Sequence, residues 1–356
     1  MSKQINVVLT SSDYYAPYTS VTIASILYNL PQNRDIYFHV ITEDMSNINK
    51  IKIDNLKKIH NFDIEYLTVS CDELNLPKAP QERVSNIAYA RLKVSSLFPD
   101  LKKCIICDSD LVFDYNIEEL FDMDIGNKAV AIAKDPLQRE GKNYWWESFD
   151  IDEKYPYLNT GVILMDVEKI RKNELENKIF ENYGIYRFNL HFIDQDLFYL
   201  TLSEYNKILD DSWNFLPNIY YSDNNLKSEL SMKAKVFHFG GGLKPWCGKK
   251  VDFSYIWWKY AAKSPFYEDI LANIFMSKTE MFRVHFPNIN TRFAADEYNT
   301  KLLYVLTHTT NFKLKKVYYK LKKIFTFGER RQKYQTKYNN VKILLKDARK
   351  FKKNMY

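Results

Sequence analysis

The 356-residue chain is 46% hydrophobic and 16% aromatic, which supplies a packed core and excludes a disordered protein. Glycine is scarce at nine residues, and neither G-x-x-x-x-G-K nor G-x-G-x-x-G occurs, which excludes nucleotide sites built on those turns. The net charge of +7 is unevenly spread: residues 311–356 hold sixteen Lys/Arg against two acids, a charge of +14 that leaves the first 310 residues at −7.

In chain order, residues 5–9 are a short apolar run that predicts a strand, and 18–30 carry apolar residues at helical spacing up to Pro31. A strand is predicted at 36–41, then a helix capped by Ser46 and running to residue 59, then a strand at 62–69. A helix over 85–97 stops before Pro99 and leads into a strand at 105–107. This rhythm predicts an α/β fold, a Rossmann-like and mainly parallel sheet with helices on both faces. Ligands in such sheets bind beyond the carboxyl ends of the strands.

Farther along, 129–133 and 161–165 read as strands on either side of an aromatic loop containing Tyr144, Trp145 and Trp146. Asp166 or Asn173 is placed to cap a following helix, and 194–202 reads as a helix with Asp194 at its N-cap. A strand at 235–239 runs into Gly240, Gly241 and Gly242. After about residue 255 strand signals fade. The expected division is an α/β domain over 1–255 and a C-terminal helical region over 256–356, ending in the basic tail 311–356.

The N-terminus lacks the apolar stretch of a secretory signal, and no apolar run approaches the length of a bilayer span. Cys104 and Cys107 form a C-x-x-C, but within a strand the two side chains point to opposite faces, which argues against a zinc or redox pair. A reduced, cytoplasmic protein is expected. The tail contains K-L-K-K-V-Y-Y-K-L-K-K-I-F, basic residues interleaved with apolar and aromatic ones. That pattern suits docking on an anionic membrane surface, with a solvated helix face or a nucleic-acid contact as alternatives.

Chemistry concentrates in two stretches. In C-I-I-C-D-S-D-L-V-F (104–113) strand alternation would aim Asp108 and Asp110 at one point, with Ser109 facing away. Two carboxylates so aimed suit a hard divalent cation, Mn²⁺ or Mg²⁺, which in turn binds phosphate oxygens; the alternative is a simple turn or cap. In V-F-H-F-G-G-G-L-K-P-W (236–246) His238 offers an imidazole ligand, the glycines allow close approach of a bulky ligand, and Lys244 is placed to neutralise a diphosphate. Alone, His238 would read as a core histidine.

These and four further segments, in order, resemble a family 8 retaining glycosyltransferase, the group containing bacterial lipopolysaccharide galactosyl- and glucosyltransferases and glycogenin. V-V-L-T-S-S-D-Y-Y-A-P-Y resembles the first strand and nucleotide loop, A-Y-A-R-L-K-V (88–94) the donor-gripping helix, and Y-L-N-T-G-V-I-L-M-D (157–166) with F-I-D-Q-D-L-F (192–198) the sugar-binding segments. The resemblance covers roughly residues 5–250 and implies a GT-A fold. It implies that Asp108, Asp110 and His238 ligate Mn²⁺ on the diphosphate of a UDP-hexose, glucose or galactose. Thr10, Ser12 and Ser109 would fall in the nucleotide site, Tyr15 would stack on uracil, and Arg91 would grip the donor sugar. Asn159, Asp194 and Gln195 would surround that sugar, with Gln195 on the nucleophile's face and Asp135 matching a further family aspartate. Gly241 and Lys244 would contact phosphate. The acceptor implied is a glycan or glycolipid, reached from the inner face of the plasma membrane through the basic tail, with no nucleic-acid partner. One departure stands out: the acid that hydrogen-bonds uracil in the family is Ser12 here, and the neighbouring family asparagine is Tyr14. A sugar-nucleotide-binding protein without activity, or a nucleic-acid-binding one, remains the alternative.

Overall fold

The computed structural model describes residues 4–78, 85–137, 144–219, 224–247 and 250–274, with 339, 342 and 346 beyond them. The chain divides into two compact units, 1–267 and 268–356. The second is described only at 268–274, 339, 342 and 346, all helical, so the basic-tail expectation over 311–356 lies almost entirely outside the described residues.

In the first unit the apolar runs become strands: β1 (Ile5–Thr10), β2 (Ile36–Thr42), β3 (Asp63–Thr68), β4 (Lys103–Cys107), β5 (Leu111–Phe113), β6 (Val130–Lys134), β7 (Leu158–Asp166), β8 (Asn206–Leu209) and β9 (Val236–His238). Seven of them form one sheet in the order β3-β2-β1-β4-β7-β6-β8. β7 runs antiparallel to β4 and β6, and the other neighbours are parallel. Val7 and Val8 are both fully buried, as a parallel sheet covered on two faces requires.

The covering helices are α1 (Ala16–Asn29), α2 (Asn47–Asp54), α3 (Val94–Leu97), α4 (Glu118–Phe121), α5 (Val167–Lys172), α6 (Leu175–Tyr186), α7 (Ile193–Leu202), α8 (Asn224–Lys233) and α9 (Ser254–Ala261). Cys104 and Ile106 of β4, Ile163 and Met165 of β7, and Val130 and Ile132 of β6 share one apolar layer with residues of α5, α6 and α7. α1, opened by a proline in its first turn, packs against β5 and α9. Ser46 caps α2 by accepting from Asn49 N at 3.3 Å, and Asp166 caps α5 by accepting from Lys169 N at 3.0 Å, while Asn173 closes α5.

Two local expectations change. Residues 85–97 are a 3-10 helix (Asn86–Lys93) followed by the four-residue α3, not one α-helix. Ile87, Tyr89, Ala90, Arg91 and Leu92 are all buried, so enclosure on several sides overrides a 3.6-residue stripe in setting the winding. The second change concerns Asp108, Ser109 and Asp110, which form a turn between β4 and β5 and not part of a strand. The Ser109 hydroxyl donates to the Thr10 carbonyl at 3.1 Å and ties this turn to the end of β1. β5 pairs antiparallel with β9, Leu111 opposite His238, and Phe239 N donates to Asp110 O at 3.0 Å. The two motifs thus meet beyond the carboxyl ends of β1 and β4.

Candidate active site

The turn and the end of β9 form part of a cleft of about 420 Å³, whose lining includes Asp108, Asp110, Asp135, Asn159, Asp194 and Gln195. His238 and Gly241 line it as well, and Leu137, Phe192, Leu216, Ile219 and Leu243 give it apolar walls.

One oxygen each of Asp108 and Asp110 and one His238 nitrogen lie within 4.8 Å of one another. His238 Nε2 is 3.3 Å from Asp108 Oδ2 and 3.4 Å from Asp110 Oδ1. Asp110 Oδ1 is buried and accepts no hydrogen bond, its ion-pair contact being the His238 ring at 3.4 Å, and a carboxylate oxygen so placed gains from a cation that meets it directly. Burial disfavours a charged imidazole, yet the Asp110 and Asp108 carboxylates prevail and raise His238 to about 9. A pocket that draws positive charge, with two carboxylate oxygens and one imidazole nitrogen converging, fits a divalent metal.

Basic side chains hold the two acids ionised. Arg91, 4% exposed, donates to Asp108, to Thr160 O at 3.3 Å and to Ala88 O at 3.1 Å, and pairs with Asp194 at 3.6 Å. Lys244 donates to Asp110 and, at 2.8 Å, to Phe239 O. Burial opposes ionisation of Asp108 and Asp110, but Arg91 beside the first and Lys244 beside the second hold both below the usual carboxylate range. Asp194 goes the other way: burial outweighs Arg91 and pushes its carboxyl up to about 6.

A line of amides runs along the cleft. Asn159 Nδ2 and Gln195 Nε2 each donate to Asp135 Oδ2 at 2.9 Å, and Leu137 N donates to Asp135 Oδ1 at 2.7 Å. Asn159 Oδ1 accepts from Asn214 Nδ2 at 2.8 Å, and Asn214 Oδ1 lies 2.9 Å from His238 Nδ1.

Residues 6–249 match the family model described as Glycosyl transferase family 8. The chain belongs to this family. Relatives of this glycosyltransferase include a putative glycosyltransferase of Haemophilus influenzae, 28% identical over 251 residues spanning 69% of this chain and 74% of the relative. Another is general stress protein A of Bacillus subtilis, 25% identical over 264 residues, 68% of this chain and 87% of the relative. Among solved structures, the galactosyltransferase LgtC in complex with donor and acceptor sugar analogues matches with a TM-score of 0.63 at 22% identity, over 73% of this chain and 96% of LgtC. At that identity the match shows a shared fold, the GT-A type expected from the sequence.

Of the remaining residues singled out in the sequence, Thr10, Ser12, Tyr15 and Ser109 are not among those lining the cleft of this glycosyltransferase. Thr10 closes β1; its hydroxyl accepts from Arg91 at 3.5 Å. The Ser12 carbonyl accepts from Tyr15 N at 3.1 Å, and the Tyr15 ring packs edge-on to Tyr18 at 5.4 Å and Trp246 at 6.4 Å. Ser109 faces Thr10, not the cleft. Asp194 is not the N-cap of α7, since Phe192 holds that position. The acid that binds the free amides there is Asp196, which accepts from His191 N at 2.7 Å and Phe192 N at 3.0 Å, and also from Trp145 Nε1 and Tyr157 Oη. Asp194 instead faces Arg91.

Three residues of the site escaped the sequence reading in this role: Asp196, Gly161 and Asn214. Asp196 and Gly161 lie inside quoted segments, but there the capping role falls to Asp194 and Gly161 reads only as the start of a strand. Asn214 follows a short 3-10 turn (Asp211–Trp213), and nothing in its surroundings marks it as polar machinery.

Proposed function

We propose that this enzyme transfers a hexose, glucose or galactose, from a UDP-sugar to a hydroxyl of a glycan or glycolipid, with retention at the anomeric carbon. The observation that carries the reading is the convergence of Asp108, Asp110 and His238 on one point of the cleft, with Asp110 Oδ1 buried and without a hydrogen bond. Those three residues would hold Mn²⁺, or Mg²⁺ in its place, which when bound supplies the charge that stabilises a departing diphosphate. Lys244, at the end of the glycine-rich turn where Gly241 takes a φ of 76°, is close enough to add its ammonium to that anion.

Retention by a covalent route needs a good nucleophile. The Gln195 amide is weak in that role and is already tied to Asp135, and Asp194 is engaged by Arg91. Attack on the face the diphosphate leaves is therefore favoured. The acceptor oxygen bonds to the anomeric carbon, the bond from that carbon to the phosphate oxygen breaks, and the acceptor proton passes to the departing phosphate.

Calorimetric titration of UDP tests the donor assignment: affinity should rise about tenfold or more when Mn²⁺ is added, and tighter binding of GDP or CMP would overturn the choice of base.

The same reading places the enzyme at the inner face of an anionic membrane through residues 311–356. Among the described residues no helix is long and apolar enough to cross a bilayer. Each Lys or Arg near such a surface contributes about 1 kcal/mol, so fewer than half of the sixteen suffice for reversible binding. Deletion after Thr310 should release the protein from anionic vesicles and leave UDP-sugar hydrolysis largely intact. Equal sedimentation of the full-length and shortened proteins would refute the membrane role.

A further inference from the structure

The amide line between Asp135 and His238 has a fixed direction. Two backbone groups settle it. The N–H of Gly161 can only donate, and it meets Asn159 Oδ1 at 3.2 Å. The carbonyl of Asn159 can only accept, and it meets Asn214 Nδ2 at 3.2 Å. Asn159 therefore turns its NH2 toward Asp135 and its oxygen toward Asn214, while Asn214 turns its NH2 toward Asn159 and its oxygen toward His238. An amide oxygen cannot donate, so His238 Nδ1 carries the hydrogen of that 2.9 Å contact. In the neutral ring the lone pair then sits on Nε2, the nitrogen that faces Asp108 and Asp110.

We infer that Asn214 is a positioning residue: through its side-chain oxygen it holds His238 in the one tautomer and ring orientation that leave Nε2 free for a cation, with Asp135 and Asn159 fixing the direction of the contact. The inference rests on the reading of Asp108, Asp110 and His238 as a cation site. The Asn214 side chain belongs to a 4% exposed residue, so water is not available to take over the contact if it is lost. Groups that orient a metal-binding imidazole from behind contribute to cation affinity without touching the cation.

The test is a Mn²⁺ titration of the full-length protein without nucleotide, followed by calorimetry or by the electron paramagnetic resonance signal of free Mn²⁺. Asn214→Leu, which keeps the volume and removes the acceptor, should weaken Mn²⁺ binding about 10- to 100-fold. Asn214→Asp, which keeps an oxygen toward Nδ1, should return to within about tenfold of the parent. In a His238→Ala background Asn214→Leu should cost less than about twofold more, because its effect passes through a ring no longer present.

Unchanged affinity in Asn214→Leu, or an equal further loss in the His238→Ala background, would overturn the inference and leave the cation site standing. No Mn²⁺ binding by the parent, with or without UDP, would remove the cation site and the inference together. Should Asn214→Leu lose its cooperative melting transition, Asn214→Asp compared with Asn214→Ser carries the test: the serine oxygen falls short of Nδ1, so equal affinities would overturn the inference and tighter binding by the aspartate would support it.

Discussion

Asp110→Asn is expected to lower Mn²⁺-dependent transfer about a hundredfold or more, the scale set by removing one preorganised electrostatic group from a transition-state site. The substitution keeps the shape of the side chain and one oxygen but gives up the charge that makes the site attract a cation. The effect should be larger than the loss of one ligand, because the buried oxygen that faces His238 and the oxygen that accepts from Lys244 belong to the same carboxylate. A chelator applied to the parent should reproduce the loss, and undiminished turnover in Asp110→Asn would sink the metal reading. Stability supplies a second readout with a definite sign. The carboxyl of Asp110 is held below its ordinary value, so it contributes stability above the unfolded value of about 3.9, a contribution lost as pH falls through the folded one. Below about pH 4 the melting temperature of the parent should therefore fall more steeply than that of Asp110→Asn.

The architecture was legible in the sequence because a parallel sheet announces itself: runs such as 5–9 and 36–41 are apolar throughout, and helical spacing lies between them. Position along the chain was legible too, since the cleft lies beyond β1 and β4 as such sheets dictate. Local geometry was less so. Asp108 and Asp110 converge through a turn pinned by Ser109 to Thr10, a contact between positions 99 residues apart that alternation within one segment cannot express. The same limit hid Asp196, whose carboxylate reaches back over the start of α7 and displaces Asp194 from the capping role. Asn214 was invisible for a stronger reason. Its meaning comes wholly from Asn159, 55 positions earlier, and His238, 24 later, and an asparagine between two aromatic residues carries no local signal of either.

The second large effect is expected at Gly161, in the middle of β7. A Cβ added there would stand 2.3 Å from both Cε1 and Nδ1 of His238 and 3.1 Å from Asn214 Oδ1, the first two far inside van der Waals contact. The strand cannot retreat, because Gly161 N donates to Asn159 Oδ1 and Gly161 O accepts from Asp108 N at 3.0 Å. His238 must move instead, and its ring is enclosed at 4% exposure. Overpacking of this kind costs about 1–3 kcal/mol, so Gly161→Ala should lower the melting temperature and weaken Mn²⁺ binding to the level of His238→Ala. The double variant separates the two effects. With the ring gone the added methyl has space, so Gly161→Ala in a His238→Ala background should cost little further stability, while Mn²⁺ affinity stays low. If Gly161→Ala melts and binds Mn²⁺ like the parent, the ring does not pack against β7 as described; if it destabilises equally with and without His238, the clash lies elsewhere.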